Sequence, residues 1–283
     1  MREWVYYVNG RYLSAKRALI SVLDRGFLFG DGFFETLRFE NGEIFQWPTH
    51  VQRLRQAARQ LEIKITRNPI QLKKVIFNLL KKNKLSTAYI RITFTRGIQS
   101  AGVDFDSTSP ATIVIGMRPL KKLPNSFYQN GVDVCLVPFL RNHPLALDPA
   151  IKSLNFLNSI QGLHWARKRG FFEGVLLNSK RNITEGSFSN IFFTSRRVLK
   201  TPALKNGLLN GVTRQYVLKL AQRLGLTIQE GQYKIQDIGR MSECFLTNTQ
   251  IGILPVKYFQ RYHFSEKKRR ITDLLRQNFH NHP

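Results

Sequence analysis

The sequence predicts an α+β protein of two domains, and three observations support this fold class. Strand-like runs recur in both halves of the chain, between segments whose apolar residues have helical spacing. The segment 118–125 carries two prolines and two lysines between strand-like runs, as expected of an interdomain linker. The length of 283 residues, 42% of them hydrophobic, allows ample core. We therefore assign 1–117 to a smaller N-terminal domain and 126–283 to a larger C-terminal domain.

The N-terminal domain is predicted to combine short strands with two helices. A helix is expected to begin at Pro48, because apolar residues recur at helical spacing from Val51 to Leu61. The run Ala88–Thr95 alternates apolar and polar residues, which predicts a half-buried strand. The other predicted features are turns at Asn9-Gly10, Gly30-Asp31-Gly32 and Asn41-Gly42, a helix at 69–82 and a strand at 111–116.

The C-terminal domain is predicted to alternate strands and helices. Its clearest helix covers 212–224, where Val217, Leu220 and Leu224 share one face. The predicted strands lie at 132–137, 174–177, 190–193 and 244–247, the further helices at 153–169 and 265–279, and a turn at 178–182.

Composition excludes several classes of protein. The first residues contain no apolar run typical of a signal peptide, and no segment approaches the length of a membrane-spanning helix, so we expect no membrane association. The two cysteines, Cys135 and Cys244, are too few for a disulfide framework or a four-cysteine metal site. We expect buried, reduced thiols, no metal, and a cytoplasmic location.

The formal net charge of +26 is unusual. A basic surface attracts phosphate, so nucleic-acid binding is one interpretation. However, the lysines and arginines are spread along the chain and no nucleic-acid-binding motif accompanies them, which argues against this role as the main function. A small anionic substrate would suit the same field, and simple surface solubility is a further explanation.

A lysine, Lys152, stands among apolar residues where a loop is predicted to meet a helix. Burial lowers the pKa of a lysine, which is what a Schiff-base lysine needs. The alternative is a helix-start lysine whose ammonium group reaches solvent.

Three further segments carry groups that could bind a flat, phosphorylated ligand. Glu185 lies among small residues and could approach such a ligand closely, or could be a turn acid. Val212 and Thr213 open a predicted helix, whose free N–H groups and threonine hydroxyl could bind an anion or serve only as a cap. Arg53 on the first predicted helix could add a bidentate contact to the same anion, although most helix arginines are surface residues.

Taken together and in this order, the motifs resemble those of the class IV aminotransferases, the fold-type IV pyridoxal phosphate enzymes, along most of the chain. The matching parts are Asp24-Arg25-Gly26-Phe27-Leu28-Phe29-Gly30-Asp31-Gly32 with Phe34-Glu35-Thr36-Leu37-Arg38, then His50 and Arg53, then Lys152, then Glu185 through Asn190-Ile191-Phe192, Leu199 and Thr201-Pro202 to Leu209-Asn210-Gly211-Val212-Thr213-Arg214. The resemblance implies a fold like that of D-amino acid aminotransferase, with a smaller N-terminal α/β domain and a larger, β-barrel-like C-terminal domain with helices.

The resemblance also implies roles for individual residues. Lys152 would hold pyridoxal 5′-phosphate as a Schiff base and move the substrate's Cα proton, and Glu185 would pair with the pyridine nitrogen. The implied phosphate ligands are Arg53, Val212, Thr213 and Thr249, and Leu209 would pack under the ring. Members of the family are usually homodimers, so a second copy of the chain is the expected partner.

Three positions favour aminodeoxychorismate lyase within this family. Thr36 resembles the lyases, which carry threonine where branched-chain aminotransferases typically have glycine. The stretch Ser100-Ala101-Gly102-Val103 lacks the Arg-x-His pair of D-amino acid aminotransferases, and Ile115-Gly116-Met117-Arg118 lacks the Trp-Gly pattern of branched-chain enzymes. We expect a lyase that forms p-aminobenzoate and pyruvate for folate synthesis, with Thr36 helping to handle the proton as pyruvate leaves. Branched-chain or D-amino acid aminotransferase activity remains the alternative.

Overall fold

In the computed structural model, residues 3–99, 102–104 and 110–279 are described, and the chain divides into two compact units. The first unit contains Met1–Lys121 together with Ile151–Asn155. The second contains Lys122–Ala150 and Phe156–Pro283. Both units combine sheets with helices, so the α+β fold class is confirmed. The division at 121/122 falls inside the predicted linker, whereas 151–155, which we assigned to the second domain, belongs to the first unit.

The helices are α1 (Arg25–Phe29), α2 (Trp47–Gln60), α3 (Pro69–Lys82), α4 (Asn125–Asn130), α5 (Leu157–Arg167), α6 (Val212–Arg223) and α7 (Arg270–Phe279). The strands are β1 (Val5–Val8), β2 (Arg11–Ser14), β3 (Gly32–Glu40), β4 (Glu43–Ile44), β5 (Ala88–Thr95), β6 (Thr112–Arg118), β7 (Val132–Leu140), β8 (Glu173–Leu177), β9 (Ile183–Gly186), β10 (Asn190–Ser195), β11 (Val198–Pro202), β12 (Thr227–Gly231), β13 (Glu243–Asn248), β14 (Gly252–Phe259) and β15 (Tyr262–His263).

The first unit is an antiparallel six-stranded sheet, ordered β2-β1-β6-β5-β3-β4, with α2 and α3 packed on one face. Strand side chains alternate between the two faces, and Phe33, Leu37 and Phe39 of β3 join the helices in the core. The capping box of Asn68 and Gln71 begins α3. The opposite face of β3 therefore carries Phe34, Thr36 and Arg38.

The second unit is built on a mixed nine-stranded sheet. Its order is β12-β11-β10-β13-β14-β7-β8-β9, with β15 paired to β14. The pairs β11/β12, β14/β7 and β7/β8 are parallel, and the other pairs are antiparallel. The sheet curls so that β9 approaches β10 and β11, which agrees with the predicted barrel-like domain. The strands β8 and β9 are buried along their whole length, although Glu173 begins β8 and β9 carries Thr184 and Glu185.

The short segment Ile151–Asn155 is attached to the start of β3. Phe34 N donates to Lys152 O, and Leu154 N donates to Gly32 O, both at 2.9 Å. Gly32 has no room for a side chain, because a Cβ at that position would overlap Phe94 O of β5 and lie 2.8 Å from Leu154 Cδ1. The backbone around Lys152 is therefore an extra strand-like partner of β3.

Several predicted boundaries differ from the structure. The helix expected at 153–169 begins only at Leu157, because 152–154 pair with β3 instead. The helix expected at 265–279 begins at Arg270, after a short 3₁₀ turn at Glu266–Lys268. The strands β9, β11, β12 and β14 and the short helix α1 were not predicted, because most are brief and carry no clear alternation of their own.

Among the helices of the described residues, none combines the length and the apolar character that crossing a membrane requires.

We predict that Gly32→Ala destabilises the first unit. The added methyl group must displace the Phe94 carbonyl or the segment that carries Lys152, which should cost about 1–3 kcal/mol. Thermal unfolding should show a melting temperature several degrees lower than that of the native protein. The control is Glu43→Ala, an exposed position on the same sheet, which should leave the melting temperature unchanged. Equal melting temperatures for both variants would contradict the close packing described for Gly32.

Candidate active site

Lys152 lies at the face of β3 that points away from the core helices. Its Nζ is 4.7 Å from the centre of the Phe34 ring, and its side chain is half-buried. Thr36 follows Phe34 on the same face, because side chains two residues apart in a strand point the same way. We call this surface the Thr36 face; its residues are Phe34, Thr36, Arg91 and Thr93.

Arg91 of β5 is directly paired with Thr36 in the sheet. Its guanidinium carbon lies 3.6 Å from the Phe34 ring centre, and its Nε donates to Thr93 Oγ1 at 3.2 Å. Burial lowers the pKa of Arg91 from its usual value. No carboxylate of the described residues pairs with it. A partly buried cation without a counterion can bind a carboxylate of a ligand.

Glu35 points to the other side of β3, where it joins two residues of α2. The register pairs Glu35 with Ile92, a core residue, so its carboxylate is enclosed. Arg53 donates to it in a bidentate manner, with Nε–Oε1 at 2.6 Å and Nη2–Oε2 at 2.8 Å. His50 Nδ1 lies 2.8 Å from Glu35 Oε2. The carboxylate therefore fixes the plane of the Arg53 guanidinium, which we expected to bind phosphate.

The charges of this cluster follow from burial and pairing. Burial would raise the pKa of Glu35, but the charge of Arg53 and hydrogen bonds from Arg53 and His50 hold that pKa well below its usual value. Burial lowers the pKa of His50, and the nearby charges of Arg53 and Lys152 lower it further, although Glu35 opposes them. Glu35 is therefore anionic and His50 neutral at pH 7. The second ring nitrogen of His50, Nε2, is buried without a hydrogen-bond partner.

In the second unit, Glu185 is held at the end of β9 by three neighbours. Arg141 Nε donates to Glu185 Oε1 at 2.8 Å, and the Leu209 backbone N–H donates to Oε2 at 3.1 Å. Asn190 Nδ2 lies 3.4 Å from Oε2 and also donates to Leu209 O at 2.9 Å. The side chain of Glu185 is 9% exposed and paired with a cation, an arrangement that favours the charged carboxylate. A carboxylate of this kind can hold a proton on a ring nitrogen.

The N-terminus of α6 offers an anion site. Gly211 precedes the helix and provides no side-chain cap, so the first N–H groups, including those of Val212 and Thr213, are available to a ligand. Thr213 is 2% exposed, and its hydroxyl is buried without a hydrogen-bond partner. A buried hydroxyl without a partner at a helix N-terminus is the donor set that a phosphate needs.

The remaining predicted residues of the second unit surround the same elements. Thr249 is half-buried in the turn after β13, and Leu209 is half-buried between Glu185 and α6. The unit thus brings a carboxylate, an uncapped helix N-terminus and an unpartnered hydroxyl into one region of adjoining segments. These groups of the second unit fit the ring nitrogen and the phosphate of pyridoxal phosphate. Within the first unit, the half-buried amine of Lys152 is a group that can form a Schiff base with an aldehyde.

Several residues of these clusters had been given no role from the sequence. In the sequence, Glu35 is part of a motif without a role of its own, and the signal that could have identified it is a charge on the apolar side of an alternating strand. Arg141 follows an apolar strand and is separated from Glu185 by 44 positions, so no local pattern joins them. Arg91 is an ordinary polar residue of β5 until the register with β3 is known. Of the stretch 100–103 used to argue against D-amino acid aminotransferase, Ser100 and Ala101 lie outside the described residues.

Residues 32–259 match the sequence model of the family described as amino-transferase class IV. A protein of Methanocaldococcus jannaschii is 36% identical over 250 residues, covering 88% of this chain and 86% of that protein. It carries the provisional name of a branched-chain-amino-acid aminotransferase. The aminodeoxychorismate lyase of Bacillus subtilis is 29% identical over 271 residues, covering 95% and 91%. The crystal structure of Escherichia coli branched-chain amino acid aminotransferase has a TM-score of 0.93 at 25% identity, covering 99% of this chain and 94% of that one.

We predict that Glu35→Gln lowers the free energy of unfolding by about 3 kcal/mol at pH 7, because it breaks a buried ion pair with Arg53. The matched control is Glu40→Gln, on the same strand, whose pair with Arg38 is more exposed and should be worth less than about 1 kcal/mol. Chemical denaturation measures both.

The effect of Glu35→Gln should also depend on pH. Because the folded pKa of Glu35 lies below its ordinary value of 4.5, its stabilisation is present above pH 4.5 and is lost as pH falls through the folded pKa. The difference between Glu35→Gln and the native protein should therefore narrow below pH 4.5. A constant difference, or equal losses for Glu35→Gln and Glu40→Gln at pH 7, would contradict the buried ion pair.

Proposed function

The chain belongs to the class IV aminotransferase family, whose members are pyridoxal phosphate-dependent enzymes, and we propose that it is a 4-amino-4-deoxychorismate lyase. Such an enzyme cleaves its substrate to p-aminobenzoate and pyruvate, a step toward folate. The observation that carries the proposal is the composition of the Thr36 face, where a hydroxyl and a cation without a counterion share one surface with Lys152. The likeness to the Bacillus subtilis lyase over 95% of the chain agrees with it.

The chemistry of the substrate suits these groups. Aminodeoxychorismate carries an amino group, through which it reacts with the cofactor, and two carboxylates. Arg91 has no carboxylate partner among the described residues and would bind one of the two. The net charge of +26 would attract a substrate with two negative charges and so favour its approach to the protein.

We propose the following residues for the cofactor. Lys152 would hold it covalently, and Glu185, itself held by Arg141, would keep the proton on its ring nitrogen. The phosphate is bound by Arg53 and Thr249 and by the start of α6, where the supporting observation is the buried, unpartnered hydroxyl of Thr213. The complete proposed set is Lys152, Glu185, Arg53, Val212, Thr213, Thr249 and Leu209, with Leu209 under the ring.

When bound, pyridoxal phosphate supplies an electron sink for the carbon that carries the substrate's amino group. Lys152 Nζ, no longer bonded to the cofactor once the substrate's amino group has taken its place, would take up the proton that this carbon loses. Phe34, packed against the lysine, limits the directions in which the amine can move. The Thr36 hydroxyl, on the same face, handles the proton as pyruvate leaves. Arg91 holds a carboxylate of the substrate, so that the bond to be broken stays beside these two groups.

Branched-chain aminotransferase activity is the second candidate. The observation that favours it is the 36% identity to the Methanocaldococcus jannaschii protein over 88% of the chain. In that reaction the same lysine would move the proton, but no group would leave from the carbon next to the one that carries the amino group. Thr36 would then have no proton to handle for a leaving group. Thr36 therefore separates the two candidates.

We predict that the purified, cofactor-loaded protein releases p-aminobenzoate and pyruvate from enzymatically generated aminodeoxychorismate. Lys152→Ala should abolish release and should no longer retain cofactor after borohydride treatment, because no amine remains at that position to be linked to it. Thr36→Val should keep the cofactor but reduce release about 10-fold or more, because it removes one group for proton handling. Product formation by chromatography and cofactor absorbance are the two measurements.

Two results would count against the lyase proposal. No release from a native protein that binds cofactor would exclude the lyase, and transfer from branched-chain amino acids to 2-oxoglutarate would then identify the second candidate. If the Lys152→Ala variant still carried covalently linked cofactor after borohydride treatment, a residue other than Lys152 would hold the cofactor.

We also propose that the chain forms a homodimer through an exposed apolar patch on the first unit. Among its members, Phe27 is 72% exposed and Leu19 76%, and isolated subunits rarely expose contiguous apolar surface of this kind. Arg25 is buried and donates to three backbone carbonyls of residues 102–104, which ties the two parts of the patch together. The patch consists of Leu19, Ile20, Val22, Leu23, Phe27, Leu28, Phe29, Ile98 and Val103.

A charge placed in this patch should separate the subunits. We predict that Phe27→Asp shifts the protein from dimer to monomer in analytical ultracentrifugation, because a carboxylate would have to be desolvated in the interface. The matched control is Ile70→Asp on α3, which is 69% exposed but lies outside the patch and should leave the dimer intact. A monomeric native protein, or a dimeric Phe27→Asp variant, would contradict the proposal.

A cytoplasmic location is a further part of the proposal. It is supported by the two cysteines, Cys135 and Cys244, which are buried free thiols. Burial raises the pKa of Cys135 to about 11, so this thiol is protonated and unreactive at neutral pH.

A further inference from the structure

Glu173 is a fully buried carboxyl group to which the proposed function gives no role. It begins β8, and its exposed fraction is 0%. Its Oε1 accepts a hydrogen bond from the Phe188 backbone N–H at 2.7 Å, and its Oε2 accepts one from Ser189 Oγ at 3.0 Å. Both donors belong to the turn between β9 and β10.

This turn is built around the Glu173 carboxyl. Gly186 N donates to Ser189 O at 2.8 Å, which closes the turn. A Cβ on Gly186 would overlap Glu173 Oε1 and lie 2.6 Å from Ser189 Oγ, so only glycine leaves room for the carboxyl. The carboxyl therefore fills the space inside the turn and satisfies two of its donors.

The turn is flanked by Glu185 and Asn190, which both form hydrogen bonds with the backbone of Leu209. Glu185 immediately precedes Gly186, and Asn190 immediately follows Ser189. Glu185 Oε2 accepts from Leu209 N, and Asn190 Nδ2 donates to Leu209 O. A change in the shape of the turn would therefore move Glu185 and Asn190 relative to Leu209.

We propose that Glu173 is a positioning residue that fixes the turn from Gly186 to Ser189 and thereby the direction of the Glu185 carboxylate. The inference rests on the proposed role of Glu185 at the ring nitrogen. Glu173 does not touch substrate or cofactor in this role and acts only through Glu185 and Asn190.

The surroundings of Glu173 favour the neutral, protonated carboxyl group over the carboxylate. Burial raises the pKa of Glu173 to about 8, and the hydrogen bonds from Phe188 and Ser189 and the charge of Arg167 on α5 offset this only in part. No cation of the described residues forms an ion pair with it. Glu185, on the adjacent strand, is paired with Arg141. The two carboxyl groups lie on neighbouring strands, and they differ in that only Glu185 has an arginine in contact. This contact stabilises a carboxylate at Glu185, whereas burial without such a contact favours the protonated form at Glu173.

The test compares Glu173→Gln, which imitates the protonated carboxyl, with Glu173→Ala, which empties the turn. Cofactor affinity is measured by adding pyridoxal phosphate to the cofactor-free proteins, and the pH at which the visible absorbance of the bound cofactor changes is recorded. We expect Glu173→Gln to stay within about 2-fold of the native affinity and Glu173→Ala to bind about 10-fold more weakly, with a displaced absorbance transition.

The matched control is Glu243→Ala. Glu243 is also a buried carboxyl of the second unit that accepts two backbone N–H bonds, from Ile271 and Thr272, but it caps α7. Its loss should lower the melting temperature and leave cofactor affinity within about 2-fold. This control separates loss of general stability from loss of the turn. An unchanged affinity in Glu173→Ala, or an equal loss in Glu243→Ala, would overturn the proposal.

A second measurement needs no cofactor and remains informative where Glu173→Ala does not fold. Because the folded pKa of Glu173 lies above its ordinary value of 4.5, the unfolded chain loses this proton at lower pH than the folded one. The native protein should therefore lose stability, relative to Glu173→Gln, as pH rises from about 4.5 to about 8. If the free energies of unfolding of the native protein and of Glu173→Gln changed in parallel with pH, the assignment of a protonated carboxyl to Glu173 would be wrong. A native protein that binds no cofactor would instead overturn the proposed function itself.

Discussion

The pairing of the segment Ile151–Asn155 with β3 is the constraint on which the first unit's chemistry depends. Two backbone hydrogen bonds hold Lys152 over Phe34, although the segment is more than a hundred positions away in sequence. A strand partner gives a lysine a more defined backbone than a free loop would. At the start of β3, Gly32 has no room for a side chain between Phe94 O of β5 and the Leu154 side chain of this segment. These backbone contacts therefore bring Lys152 to the face of β3 that carries Thr36.

Buried charge organises the rest of both units. Glu35, Glu185 and Glu173 are each at least nine-tenths buried, yet their environments differ. The first two have an arginine at hydrogen-bond distance, and the third has only neutral donors in contact. Since an isolated buried carboxylate is costly, a nearby guanidinium decides whether the group keeps its charge. The consequence is that each carboxylate is oriented by its cation, whereas Glu173 is suited to filling and bracing a turn.

Much of the secondary structure could be predicted because it depends on neighbours in the chain. The helices α2, α3 and α6 carry a stripe of apolar residues, and β5 alternates, so each was found within a few residues of its bounds. The helix α5 was expected four residues too early, because the sequence gives no sign that 152–154 pair with β3. The strands β9 and β11 are brief, and their pairing partners, rather than their own patterns, make them strands.

The sequence by itself determined the α+β class, the family resemblance and the identity of the chemical groups, since these reside in local periodicity and in short motifs around Lys152, Glu185 and Thr213. Only the tertiary structure decided how those groups are paired and charged. The register of β3 against β5 sends Glu35 into the core and brings Thr36 beside Arg91, and a one-residue slip would exchange the two faces. Register, burial and ion pairing arise from contacts between residues far apart in the chain, and desolvation acts only once those contacts have formed.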